Sequence, residues 1–165
     1  MFYGLMLKED AVVAARAVCE TIGSADTREF AVALLVETAA AETLLGELRD
    51  PTMYSAGTGL TQVDKGTFDW LKQSYSSTPV ATALQKRFNI DISRTQYQEL
   101  ETSPLLAMIF CRLRYMRAQG PIPSTLTGRA EYWKKWYNTS AGKGTVAGYI
   151  KKVQDCGVAD LLRTA

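Results

Sequence analysis

Two glutamates, Glu37 and Glu42, interrupt an otherwise apolar stretch between residues 30 and 45. A carboxylate is costly to bury in its charged form, so burial raises its pKa. A glutamic acid still protonated near neutral pH can give its proton to the leaving oxygen of a glycosidic bond. The chain contains no histidine. That excludes Ser-His-Asp and Cys-His catalysis and removes the commonest zinc ligand. Acid–base chemistry near neutral pH therefore falls to carboxylates, Lys, Tyr or Cys, and neither a metal nor a cofactor is expected.

Of the two glutamates, Glu42 is the better acid. It sits one turn before Gly46, near a helix end, where it can face a cleft while its base stays embedded. Glu37 lies deeper and is the rival. The pair are five positions apart, about 140° around a helix axis, so they do not share a face. One of them should have a structural partner such as an arginine. That both are structural or surface residues is the alternative. Asp64 is a further carboxylate that could activate water in an inverting hydrolase, although a loop or helix N-cap role suits it better.

These groups need elements to hold them. Val12, Ala15, Cys19 and Ile22 recur at helical spacing and predict a first helix over about 8–22, with Arg16 and Glu20 as an i,i+4 charge pair. A second helix is expected over about 27–46. Phe30, Leu34, Ala41, Leu45 and Leu48 form one apolar stripe, and Val32, Leu35, Val36, Ala39 and Ala40 make the other side apolar too. A helix greasy nearly all round belongs at the centre of a domain. Pro51 with Gly57 and Gly59 forces loop structure over about 50–64, with at most a short strand or hairpin. Thr78-Pro79 and Ser103-Pro104 each read as an N-cap followed by proline at the first helical position. Two more helices are expected over about 128–137 and 146–155. The fold class is mainly α, one domain over residues 1–165, built around a central buried helix.

The segment Thr38-Ala39-Ala40-Ala41-Glu42-Thr43, then Gly46, then Gly57-Thr58-Gly59-Leu60-Thr61-Gln62-Val63-Asp64, resembles the soluble lytic transglycosylase and goose-type lysozyme pattern. In that pattern a Glu-Ser at a helix end precedes a Gly-Leu-Met-Gln loop. Thr43 replaces the serine here, and Gly-Leu-Thr-Gln replaces the loop. Trp136-Tyr137-Asn138-Thr139-Ser140-Ala141-Gly142 looks like a stretched form of the family's Tyr-Asn-x-Gly element. A group of bacteriophage lysozyme-like proteins is more similar still. It shares a Cys/Ala-Arg-x-x-Tyr-x-Arg helix, here Cys111 to Arg117, and a Tyr-Trp-Lys-x-Tyr-Tyr-Asn-Thr-x-x-Gly-x-Gly-Thr tail, here Tyr132 to Thr145.

This resemblance, covering roughly 38–150, implies a lysozyme-like domain that cuts peptidoglycan between N-acetylmuramic acid and N-acetylglucosamine. Glu42 would be the general acid and then the base, acting on water or on the muramic C6 hydroxyl. Gln62 would hydrogen-bond an N-acetyl group or Glu42 itself. Gly57 and Gly59 would let backbone N–H groups approach the sugar, a plain turn being the simpler reading. Tyr137 and Asn138 would line the cleft opposite Glu42. A catalytically inactive wall-binding or virion structural protein of the same fold is the alternative.

Aromatic residues Tyr132, Trp133, Trp136 and Tyr137 cluster on one segment and suit either sugar stacking or core packing. Arg112, Arg114 and Arg117 could pair with stem-peptide carboxylates or with Glu37, or form a solvated helix face. A net charge of +2 without a basic strip gives no reason to expect nucleic acid. Three widely spaced cysteines do not make a disulfide framework. No basic, then apolar leader is visible, and no apolar run would span a bilayer. The expectation is a monomer made in a host cytoplasm without a visible signal peptide, acting on the cell wall either free or carried by a virion.

Overall fold

A computed structural model describes residues 1–51, 54, 56–139 and 142–165. Among these are eight α-helices, α1 (Lys8–Thr21), α2 (Arg28–Thr43), α3 (Lys65–Tyr75), α4 (Pro79–Phe88), α5 (Pro104–Met116), α6 (Leu126–Trp133), α7 (Val146–Asp155) and α8 (Val158–Thr164), with a short 3-10 helix over Tyr97–Glu101 and a π turn over Lys134–Asn138. The sole β pairing among the described residues is an antiparallel bridge between Thr58 and Val63. The chain is mainly helical, as its periodicity predicts.

Helix α2 runs through the middle. Every residue from 31 to 41 is buried, and α1, α5, α6, α7 and α8 all pack against it. The small side chains Ala31, Ala39 and Ala40 let neighbouring helices approach, while Leu34, Leu35 and Val36 fill the space between them. The helix stops at Thr43, three residues short of Gly46, because Leu44 and Leu45 already take left-handed conformations with φ of 51° and 53°. Such conformations cost a residue with a Cβ roughly 1–2 kcal/mol. Backbone pairing offsets that cost. Leu44 and Leu45 donate to Ala40 O and Ala39 O at 3.0 and 3.2 Å, closing the helix end. Leu48, expected on the apolar stripe, lies beyond this corner and is 53% exposed.

Other expectations are corrected by tertiary contacts. Arg16 does not pair with Glu20; its guanidinium donates to the carbonyls of Leu162 and Ala165 and fastens α8 to α1. Ser103 caps α5 by accepting from Leu106 N at 3.1 Å. Thr78 precedes α4 without capping it, since its hydroxyl donates to Tyr75 O at 2.7 Å. The helix expected over 128–137 ends at Trp133 and continues as one wide π turn from Lys134 to Asn138. The three cysteines are free, with Cys19 and Cys111 buried and Cys156 partly so.

Candidate active site

The two glutamates of α2 have opposite fates. Glu37 is 2% exposed. Arg129 Nε reaches both of its oxygens at 3.1 and 2.9 Å, and Arg129 Nη2 reaches one of them at 2.7 Å. Tyr149 donates its hydroxyl to Glu37 Oε2 at 2.8 Å. With both oxygens so engaged, Glu37 is the ion-paired strut of the α2–α6–α7 junction rather than a proton donor to solvent. Its partner is Arg129, not Arg112, Arg114 or Arg117.

Glu42 is only partly buried and borders a groove of about 280 Å³. Leu48, Arg49, Asp50, Pro51 and Gln62 complete the lining. A hydrogen bond reaches it from the core side: Trp133 Nε1 donates to Glu42 Oε1 at 3.3 Å. Burial pushes its carboxyl up to about 7, against smaller opposing effects from the indole N–H and from Lys152. Its place as the penultimate residue of α2 acts in the same direction as burial, because the C-terminal end of a helix carries partial negative charge. Lys152 of α7 spans to this end and donates to Ala41 O at 3.1 Å.

The loop that carries Gln62 forms a tight turn. Thr58 N donates to Val63 O at 3.0 Å, Val63 N to Thr58 O at 3.1 Å, and Gln62 N to Gly59 O at 3.1 Å. Gly59 is required by its φ of 81° and by the Leu100 carbonyl, which lies 2.4 Å from where a Cβ would stand. Gly57 packs on the backbone of Gln62 in the same way. Both glycines are buried, so their close approach is to the protein itself. Four residues anchor the turn. Thr43, directly after Glu42, donates its hydroxyl to Leu60 O at 2.7 Å. Tyr97 donates to Val63 O at 2.6 Å and Tyr137 to Thr61 O at 2.7 Å. Glu101 accepts from the Thr58 hydroxyl and from Gly59 N.

Gln62 thus shares the groove with Glu42, but its amide donates to Gly59 O at 3.0 Å and to Tyr3 Oη at 3.4 Å rather than to Glu42. Tyr137 lies behind the loop, stacked on Tyr115 at 5.1 Å, and does not line the groove. Asn138 is turned to Lys134, whose Nζ donates to its Oδ1 at 2.8 Å. Ser140 and Ala141 of the stretched Tyr-Asn motif lie outside the described residues. Asp64 caps α3, accepting from Thr67 N at 2.9 Å and Thr67 Oγ1 at 2.7 Å, and is likewise off the groove.

Trp133 is 3% exposed and Tyr132 8%, so both belong to the core, and Trp136 is partly buried. Arg114 and Arg117 lie over the exposed Trp70 ring at 5.6 and 5.3 Å. Two residues of this region carry no signal in the sequence: Asp50, the carboxylate that shares the groove with Glu42, and Glu101, which holds the loop. Of the two uses expected for Trp133 it takes core packing, and its indole N–H also donates to Glu42. The run Arg49-Asp50-Pro51 marks only a helix stop locally, and nothing in it signals a groove wall. Comparison with protein-family models, curated proteins and solved structures returns no match.

Proposed function

We propose that this chain is a phage-type, lysozyme-like glycosidase that cuts peptidoglycan glycan strands, with Glu42 as its general acid. The observation that carries the reading is a carboxyl at the edge of a groove whose pKa burial at the helix end raises to about 7, against the smaller opposing pull of the Trp133 indole N–H. A group with pKa close to the working pH is protonated often enough to donate and ionised often enough to accept.

In the first step the Glu42 proton passes to the bridging oxygen as the bond from that oxygen to the muramic anomeric carbon breaks. The carboxylate left behind then takes a proton from water, giving hydrolysis, or from the muramic C6 hydroxyl, giving an anhydro sugar. In an inverting hydrolase a second carboxylate, not Glu42, takes the proton of the attacking water, and Asp50 shares the groove where Asp64 does not. The groove of about 280 Å³ suits the region around one sugar ring, with the rest of the strand running over the surface.

Zymography on purified cell walls tests this. Wild type should clear a zone and Glu42→Gln should not. Clearing by Glu42→Gln at the wild-type rate overturns the assignment of the acid. No clearing by wild type would favour a wall-binding or virion structural protein instead. Mass spectrometry of the released muropeptides separates the two routes, since the anhydro product lacks one water.

A further inference from the structure

Near the opposite end of α2, whose N-cap Thr27 lies about 22 Å from Glu42 along the helix, stands a buried cation. Arg112, on α5, is 3% exposed, and its Nε has no hydrogen-bond partner. Among the described residues no carboxylate forms an ion pair with it. A buried guanidinium is ordinarily matched by a carboxylate, because taking a charge out of water costs several kcal/mol. Glu37 and Arg129 obey that rule in this same fold, and Arg112 does not.

The guanidinium borders a cavity of about 450 Å³. Gly23 covers it from the α1–α2 turn, where a Cβ would overlap the guanidinium. Thr27 lines the cavity at the start of α2 without capping that helix through its side chain. The positive end of the longest helix therefore faces the same space. The remaining walls are mostly apolar: Met116, Ala118, Pro121, Ile122 and the ring of Tyr132. One acidic side chain, the exposed Asp26, stands at the rim.

We propose that this cavity is a binding site for an organic carboxylate whose charged end pairs with Arg112 and whose small apolar body rests on Met116, Ile122 and Tyr132. A guanidinium matches a carboxylate in two parallel N–H···O bonds. The cavity is several times the size of a bare carboxylate, and its apolar walls suit a ligand such as the C-terminal residues of a short peptide. The site is remote from Glu42 and does not rest on the glycosidase reading.

Isothermal titration calorimetry on the full chain tests it, with N-acetyl-alanyl-alanine as the acid and its C-terminal amide as control. The acid should bind at least tenfold more tightly than the amide. Arg112→Gln should abolish that preference, and Asp26→Asn, which removes a rim charge, should tighten the acid by two- to fivefold. Glu42→Gln should bind the acid as wild type does. Equal binding of acid and amide, or retention of the preference in a folded Arg112→Gln, overturns the proposal. If Arg112→Gln does not fold, the acid–amide ratio in wild type together with the Asp26→Asn shift decides it. Inorganic phosphate displacing the acid at equal concentration would also refute a carboxylate site.

Discussion

Replacing Glu42 by glutamine exchanges the ionisable OH for an NH2 of nearly the same volume, so its effect on stability isolates the ionisation of this group. The folded protein holds the carboxyl at about 7, against an ordinary value of 4.5. Below pH 4.5 the acid is protonated in both the folded and the unfolded chain, and it contributes no pH dependence. Between 4.5 and 7 the unfolded chain gives up the proton and the folded one keeps it. Stability therefore falls as pH rises through this window, and above 7 the loss is complete. Each pH step across the window weakens the fold by roughly 1.4 kcal/mol, so the loss reaches about 3 kcal/mol. Glutamine cannot ionise, and it can still accept from the Trp133 indole. Glu42→Gln should match wild type at pH 4 and exceed it by up to about 3 kcal/mol at pH 8, or roughly 6–12 °C in Tm for a domain of this size. Thermal unfolding followed by circular dichroism from pH 4 to 9 measures the difference. Parallel curves for the two proteins across that range would refute the reasoning, because they would mean that Glu42 titrates as a solvated carboxylate.

Three other outcomes follow from the same contacts. Arg129→Met should destabilise by about 3–5 kcal/mol in urea unfolding, since it strands the Glu37 carboxylate among apolar neighbours, and Glu37→Met/Arg129→Met should recover most of the loss. Trp133→Phe removes the indole N–H that favours the ionised form of Glu42; the alkaline limb of the proposed cell-wall lysis should move to higher pH, and an unmoved limb would show that the indole only packs. At pH 8, in folded protein, one thiol equivalent should react with an aromatic disulfide reagent. Cys156 is partly open, whereas burial pushes the Cys19 thiol up to about 11 and that of Cys111 higher still. The other two should react only after denaturant is added.

Much of the scaffold is legible in the sequence because it rests on local rules. The apolar wrap of α2 and the caps at Ser103 and Asp64 are written in neighbouring residues. So is the glycine turn before Gln62. Features set by distant partners are not legible. Glu37 finds Arg129 ninety-two residues away, and no periodicity encodes that pairing. Local pattern places the end of α2 nearer Gly46, the residue suited to a left-handed backbone. The corner starts instead on Leu44, because Thr43 is fixed to the carbonyl of Leu60 by its hydroxyl. Arg16 and Glu20 have ideal helical spacing, yet the open carbonyls of α8 compete better for the guanidinium than an exposed carboxylate does. Tyr137 keeps company with the loop as the resemblance suggests, but from behind it, because the π turn rotates its ring onto Tyr115.

Three successive left-handed residues, Leu44, Leu45 and Gly46, follow almost directly on the acid. A corner of this kind has no slack. Its direction is set by backbone handedness, and the Thr43 hydroxyl pins it to the loop that carries Gln62. Acid and loop consequently move as one hinge-free piece. Adding or deleting a single residue in the last turn of α2 before Glu42 would swing the carboxyl around the helix axis by about 100° and carry it off the groove.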